Sequence, residues 1–225
     1  MKTQRLLFSL GCVLCLLKVW GAEPPLLKFE GILFPAQQIT LSLLSSGVIN
    51  YLPYHEGDYV QEGTTLLSLD AQRDSLNLIL SQRSYEKSQI QGVEETEKFI
   101  AHRLKKIAYE EKFIKAPFSG TIVKILGKKF EFYSSGTQMI DLVDLTQLYT
   151  EIHVHPKNLK DLIQSNTKIT VTRHHQKVEG QIIGYSPMAQ PGLELHMVKV
   201  HFTNKYKWSP GTNVTVSYQV NPTKN

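Results

Sequence analysis

The chain has 225 residues, enough for one large domain or for two or three small domains with their own cores. Hydrophobic residues make up 41% of it and charged residues 20%, so the composition excludes a disordered protein. The formal net charge of +5 includes Lys2, Arg5 and Lys18, and without these three the chain has 22 basic and 20 acidic residues. This balance gives no support to nucleic-acid binding, which requires a clustered basic face.

The first 22 residues have the layout of a secretory signal peptide. Two basic residues lie within Met1–Arg5, residues 6–17 are almost wholly apolar, and small residues at Gly21-Ala22 precede Pro24-Pro25. An apolar run of about a dozen residues is shorter than the roughly 20 that span a bilayer. We therefore expect export from the cytoplasm, with an uncleaved membrane anchor as the alternative.

Both cysteines, Cys12 and Cys15, lie in this leader. Gly11 directly before Cys12 also allows a lipoprotein signal, in which an acyl chain would anchor the protein to a membrane. A chain cleaved near Ala22 keeps no thiol, and this excludes a disulfide, a thiolate metal site and a cysteine nucleophile.

Between two β-rich regions the sequence changes to helix-forming residues. Glycines and prolines interrupt short apolar alternations in residues 26–70, a pattern typical of strands and tight turns. Residues 71–112 contain no proline and a single glycine, Gly92, and their apolar residues recur at helical spacing. We predict two antiparallel helices that turn near Gln91-Gly92.

An apolar stripe on the second predicted helix contains Ile100, Leu104 and Ile107. The spacing of these residues places them on one face. We interpret this face as the seam at which the two helices pack. The candidates for contact with a partner are therefore the residues at the turn: Gln89, Gln91 and Gly92.

The segments on either side of the helices resemble each other. Gly47 and Gly63 have the same separation as Gly120 and Gly136, and similar strand-like runs follow the second glycine of each pair. Two matched strand-turn-strand units predict two pseudo-symmetric halves. Each half has an apolar face that it cannot bury alone, so the two halves together are expected to close one sandwich core.

Strand signals continue to the end of the chain, and they contain the candidate metal ligands. Short strands between Leu148 and Tyr218 predict a small antiparallel barrel, with one short helix at residues 157–164. His153 and His155 lie two apart on a predicted strand and so share one face. The alternative is that both are outward-facing polar residues, and other histidines of this region are His174, His175 and His196.

The segment Gly47–Asp70 resembles the first half of the lipoyl-like, or barrel-sandwich, domain of HlyD-like periplasmic adaptors, also called membrane fusion proteins. Residues 114–122 are similar to the segment that opens the second half of that domain, and residues 180–183 and 208–216 resemble later strands of the adaptor β-barrel. The likeness covers nearly all of the mature chain, in the order found in the family. It implies a mainly β fold with an α-helical hairpin: a lipoyl-like barrel-sandwich hybrid, interrupted by a short helical hairpin and followed by a small antiparallel β-barrel.

This resemblance divides the chain into seven segments. They are the signal peptide (1–22), N-terminal strands joining the barrel region (23–41), the first half of the sandwich (42–70), the helical hairpin (71–113), the second half of the sandwich (114–147), the β-barrel (148–220) and a tail (221–225).

The resemblance implies a bridging protein and not an enzyme. Adaptors of this family join an inner-membrane transporter of the resistance-nodulation-division (RND) or ABC type to an outer-membrane channel, usually as a ring of copies. No catalytic residue and no cofactor is implied, and the sequence lacks G-x-S-x-G, H-E-x-x-H and a glycine-rich phosphate loop. Arms of about 20 residues extend only roughly 30 Å, which leaves contact with a channel open.

Three alternatives accompany this interpretation. The chain could be a structural or interaction protein of the cell envelope that retains the adaptor fold, or a metal-efflux adaptor with a site at His153 and His155. A lipoyl or biotinyl carrier domain shares the sandwich and presents a lysine on the turn between its halves. At that place the sequence reads Leu69-Asp70-Ala71-Gln72, without a lysine, which disfavours a carrier.

Overall fold

The computed structural model describes residues 26–91, 95–163, 168–189 and 192–219. The predicted signal peptide (1–22) and the predicted tail (221–225) lie outside these residues. In chain order the elements are β1 (Leu26–Ser42), β2 (Gly47–Tyr51), β3 (Tyr59–Val60), β4 (Thr65–Leu69), α1 (Gln72–Gln91), α2 (Glu95–Glu110), β5 (Phe113–Lys115), β6 (Gly120–Ile125), β7 (Phe132–Tyr133), β8 (Gln138–Val154), α3 (Pro156–Ile163), β9 (Ile169–Arg173), β10 (Gln176–Tyr185), β11 (His196–Thr203) and β12 (Asn213–Gln219).

Six strands close into an antiparallel barrel. β1 pairs with β12, and the order continues through β9, β10 and β11 to β8, which pairs back with β1. Side chains alternate between the two faces of each strand, so Leu148, Ile152 and Val154 are buried while His153 faces outward. Leu162 of α3 also packs into this core.

Two four-stranded sheets form the sandwich. One sheet has the order β5-β4-β2-β7, and the other contains the end of β1, the start of β8, β6 and β3. Their inner faces share one apolar core, which includes Leu43, Ile49, Leu66, Ile122, Met139 and Leu142. The mainly β fold with a helical insertion and a following barrel agrees with the fold class predicted from the sequence.

The two halves of the sandwich are related by a shift of 73 residues, because Phe130 follows Gly57, and Ile122 follows Ile49, by that interval. The N–H of Gly57 donates to the carbonyl of Ile122 at 2.8 Å, and the N–H of Phe130 donates to the carbonyl of Ile49 at 2.8 Å. Exchanging the two halves of the sandwich therefore turns each of these hydrogen bonds into the other. This reciprocity confirms the internal repeat that the glycine spacing predicts.

The equivalent turn positions of the two halves also share an unusual backbone conformation. Gly57 has a φ of 96° and Phe130 has a φ of 69°. Glycine adopts a positive φ without steric cost, whereas a bulky side chain there costs on the order of 1–3 kcal/mol. The second half of the sandwich therefore keeps a turn that its own sequence does not favour.

Two long strands run through both the sandwich and the barrel. β1 and β8 have 17 residues each, and they pair with each other on both sides of a register shift between Pro35 and Gln37. The sandwich and the barrel are thus joined by a continuous antiparallel pair. Among the helices as described, none has both the length and the apolarity required to cross a membrane.

Candidate functional site

The helical hairpin projects from one sheet of the sandwich, and polar contacts fix its base. Asp70 caps α1, because its Oδ1 accepts a hydrogen bond from the N–H of Gln72 at 3.1 Å. The Lys112 Nζ lies 3.7 Å from an Asp74 carboxylate oxygen and donates to the carbonyl of Ser46 at 3.2 Å. One largely buried ammonium therefore ties both helices to the sandwich.

Polar and aromatic side chains form the seam between α1 and α2. The Ser81 Oγ lies 3.3 Å from the Nδ1 of His102, and the rings of Tyr85 and Phe99 have their centroids 5.5 Å apart. The Tyr85 ring also stacks on the His102 ring at 6.1 Å. Ser88 is buried on this seam, and its hydroxyl donates to the Tyr85 carbonyl.

The apolar stripe predicted to form the seam faces the other way. Ile100, Leu104 and Ile107 are 53%, 61% and 45% exposed. Their interpretation as the helix–helix seam is wrong, because Tyr85, Phe99 and His102 fill that space. We call the exposed side of α2 the α2 outer face, and its members are Glu97, Ile100, Leu104 and Ile107.

The first helix has a matching exposed side. Leu76 and Leu80 are 63% and 64% exposed, although their spacing is that of a helix packed on its apolar face. Basic residues occur on the same side of the helix. We call this surface the α1 outer face, and its members are Arg73, Leu76, Leu80, Arg83 and Lys87.

The residues predicted to contact a partner lie at the far end of the hairpin from the sandwich. Gln89 is exposed in the last turn of α1, and its Nε2 donates to the Tyr85 hydroxyl at 2.9 Å. Gln91 is the last residue of α1, and Gly92 lies outside the described residues. Their role in partner contact stays a prediction.

An exposed aromatic edge of the sandwich was not expected from the sequence. Phe132 lies on the edge strand β7 opposite Val48 of β2. Phe130, two residues earlier, is 73% exposed. The Lys129 Nζ lies 4.9 Å from the centroid of that ring. Alignment of the two repeats could have revealed this edge, because phenylalanine stands at 130 where the first half has Gly57.

The histidines of the barrel are not brought together. His153 is exposed on β8, whereas His155 lies ahead of α3, where its Nδ1 faces the N–H of Lys157 at 3.3 Å. His174 and His175 form the turn between β9 and β10, and His196 hydrogen-bonds with the carbonyl of Ser186 at 3.0 Å. Across the part of the chain that the structure describes, no three His, Cys, Asp or Glu side chains are grouped so that they could hold a metal ion.

The acidic group nearest to His153 on the same strand face already has a partner. Glu151 receives a hydrogen bond from Lys199 of β11, with the two charged atoms 3.0 Å apart. This hydrogen bond raises the pKa of Lys199. The Lys199 Nζ also lies 5.0 Å from the ring centroid of Tyr149. The outer surface of β8 is thus a network of cross-strand pairs.

A cleft of about 520 Å³ marks the junction of the sandwich and the barrel. Tyr59 of the edge strand β3 forms one wall, and the loop with Trp208 and Pro210 forms the other. A hydrogen bond fixes the Trp208 side chain, because its indole N–H donates to the Gln176 side-chain oxygen at 2.7 Å. The cleft is lined mainly by apolar atoms.

A sandwich split by a helical hairpin and joined to a six-stranded barrel is the fold of the membrane fusion, or periplasmic adaptor, proteins. The resemblance stated from the sequence is thereby confirmed at the level of the fold. The sequence itself matches no protein-family profile and no curated protein.

Solved structures give the measure of this likeness. A candidate efflux transporter of Bacteroides eggerthii DSM 20697 aligns with a TM-score of 0.73 at 19% identity, over 87% of this chain and 69% of that one. A MacA–MexA chimera that contains the Pseudomonas aeruginosa MexA α-hairpin domain aligns with a TM-score of 0.70 at 12% identity, over 88% and 82%. The membrane fusion protein Spr0693 of Streptococcus pneumoniae R6 aligns with a TM-score of 0.67 at 11% identity, over 87% and 100%.

Proposed function

We propose that this protein is the periplasmic adaptor subunit of an efflux or secretion transporter. Residues 1–22 direct its export, and the sandwich and barrel pack on an inner-membrane transporter of the RND or ABC type. The hairpin extends from the sandwich toward an outer-membrane channel, and several copies assemble around the transporter. The function is one of binding, with no catalytic step and no cofactor.

One observation carries this proposal: a single chain holds the sandwich, the hairpin and the barrel in the order expected of an adaptor. The likeness to the Bacteroides eggerthii protein covers 87% of this chain and supports it. A retained sandwich alone would fit a carrier domain equally well, because a fold does not by itself define a function. The hairpin and the barrel together are the parts that a bridging subunit requires.

The direct test is the recovery of a transporter from the native envelope. Tagged full-length protein is crosslinked in cells, purified in detergent and analysed by mass spectrometry. We expect a polytopic inner-membrane transporter among the crosslinked proteins, and its identity gives the transporter class. Recovery of periplasmic proteins alone would overturn the proposal and leave a structural envelope protein that retains the adaptor fold.

A second test concerns the tip of the hairpin. We propose that Gln89, Gln91 and Gly92 contact the partner beyond the hairpin, and we expect Gln89→Glu together with Gln91→Glu to weaken that contact. The matched control is Gln82→Glu on the shaft of α1. If the tip variant recovers as much channel protein as the control, the tip does not contact the channel.

A further inference from the structure

The cleft at the junction of the sandwich and the barrel is large enough for a small organic molecule. Its volume of about 520 Å³ lies within the roughly 300–1,000 Å³ of ordinary ligand pockets. Because a cavity of roughly 150 Å³ already holds benzene, the cleft has room for a molecule with two or three rings. A junction between two structural units is also a common place for a ligand site.

The sandwich contributes an aromatic wall to this cleft. Tyr59 pairs with Thr121 of β6, and its strand β3 is the last strand of its sheet. Tyr59 is 60% exposed, although it lines a cleft whose surface is mainly apolar. An exposed ring in this position gives a ring system of a ligand a flat surface on which to stack.

Asn204 fixes the opposite wall to the floor of the cleft. Its Nδ2 donates to the carbonyls of Leu145 and Trp208, each at 2.9 Å, and its Oδ1 accepts from the N–H of Trp208 at 2.7 Å. The N–H of Asn204 donates to the carbonyl of Thr146 at 2.9 Å. Leu145 and Thr146 belong to β8, so these bonds join the Trp208 wall to the long strand. A wall that is already ordered loses little entropy when a ligand binds.

Lys207 gives the cleft a positive charge. Among the described residues that line the cleft it is the one charged side chain, and it forms no ion pair with a described acidic residue. Asp144 adjoins the floor, but its Oδ1 accepts hydrogen bonds from the N–H and the hydroxyl of Thr146. The φ of Lys207 is 54°, which few residues with a side chain adopt. Backbone conformations of this kind cluster at ligand sites.

We propose that this cleft binds a small amphipathic anion, a molecule with an apolar body of two or three rings and one acidic group. The body lies over Leu145, between Tyr59 and the wall formed by Trp208 and Pro210, and the acidic group faces Lys207. Burial of the rings supplies most of the affinity, and the charge favours an anion over a neutral molecule. The inference goes beyond the proposed function and does not depend on it, because one copy of the chain forms the whole cleft.

Tryptophan fluorescence of the purified protein tests the site. The chain has two tryptophans, Trp20 in the predicted leader and Trp208 at the cleft, so a chain with Trp20→Phe reports on the cleft alone. The probe is 8-anilino-1-naphthalenesulfonate, which has an apolar ring system and one sulfonate. We expect saturable quenching of Trp208 by one probe per chain, with a Kd on the order of 10–100 µM for a ligand of about 20 non-hydrogen atoms. No saturable quenching up to about 1 mM probe would overturn the proposal.

A neutral probe and two lysine variants test the recognition of the acidic group. N-phenyl-1-naphthylamine is the same molecule without the sulfonate. Lys207→Met is expected to weaken the sulfonate probe about threefold, in line with an exposed ion pair, and to leave the neutral probe unchanged. Lys205→Met is the matched control, because this lysine lies on the same loop but does not line the cleft. An affinity for the sulfonate that is unchanged by Lys207→Met, or lowered equally by Lys205→Met, would overturn the choice of an anion.

Two aromatic variants test whether the probe lies in the cleft. Tyr59→Ser is expected to weaken both probes about fivefold, because it removes the ring on which they stack. Phe132→Ser is the matched control, since Phe132 is 65% exposed but lies on the other sheet of the sandwich, and we expect it to change neither affinity. Circular dichroism confirms that both variants are folded. If Phe132→Ser weakens the probes as much as Tyr59→Ser does, the probes bind exposed aromatic residues in general and the cleft is not their site.

Discussion

Replacing Gly120 by alanine is expected to damage the sandwich, whereas the same change at the equivalent Gly47 is not. An added Cβ at Gly120 would lie 2.5 Å from the carbonyl oxygen of Val143 and 3.1 Å from its carbonyl carbon. A carbon–oxygen contact normally settles at about 3.3 Å. The backbones of β6 and β8 would therefore have to separate by close to 1 Å, and neither is a flexible side chain.

At Gly47 the three heavy atoms nearest to the added Cβ all belong to the Leu69 side chain, at 3.4 Å or more. There the substitution restricts the unfolded chain without strain, which stabilises a protein by about 0.4–1 kcal/mol. Forced overpacking at Gly120 costs about 1–3 kcal/mol. We expect the two variants to differ by roughly 1.4–4 kcal/mol in the free energy of unfolding, with Gly120→Ala the less stable.

Urea unfolding of the purified variants, followed by circular dichroism, measures this difference. Because the denaturant slope is about 1–3 kcal/mol per molar urea for small proteins, the unfolding midpoints should lie about 1 M apart. Equal midpoints for the two variants would refute the reasoning, since the contact at Val143 would then cost nothing.

Three further predictions concern single side chains. Phe130→Asn is expected to raise the free energy of unfolding by about 0.5–1 kcal/mol in a thermal melt, because asparagine tolerates the positive φ that strains phenylalanine; a lower melting temperature would contradict this. Lys112→Met, which removes the contacts with Asp74 and Ser46, is expected to speed amide exchange in the first turn of α1 and leave the barrel unchanged; unchanged exchange there would contradict it. Burial raises the pKa of Tyr218 above 10.0. The contribution of Tyr218 to stability is therefore complete below about pH 10 and declines at higher pH, because the tyrosine ionises first in the unfolded chain. Tyr218→Phe is expected to reduce the loss of stability at alkaline pH, and a loss identical to that of the unsubstituted protein would contradict this.

The sandwich could be predicted because its tight turns require glycine, and the spacing of these glycines is visible in the sequence. Gly63 and Gly136 have φ values of 80° and 84°, so each needs a residue without a Cβ at the same point of the repeat. The helical insertion is equally visible, since 71–112 lacks proline. Both signals depend on the local backbone conformation, so they can be read from the sequence without knowing which residues pack against these segments.

The direction of each helix face could not be predicted in the same way. Spacing shows that Ile100, Leu104 and Ile107 share a side of α2, but not what lies opposite that side. The seam is filled by Ser81, Tyr85 and His102, which a hydrophobicity pattern does not count as core. The error therefore arose from treating apolar residues as the ones that pack within the hairpin.

The exchange of the two halves has a consequence for how the subunit is joined to its appendages. Ser68 pairs with Phe113 at the base of the hairpin, and a shift of 73 residues in opposite senses turns this pair into Asp141 with Thr40, on the two strands that continue into the barrel. The hairpin and the barrel are thus attached at equivalent positions of the two halves, which are related by a pseudo-two-fold axis. The hairpin and the barrel are attached to different strand pairs of the sandwich. Either of them could therefore be lengthened without changing the attachment of the other.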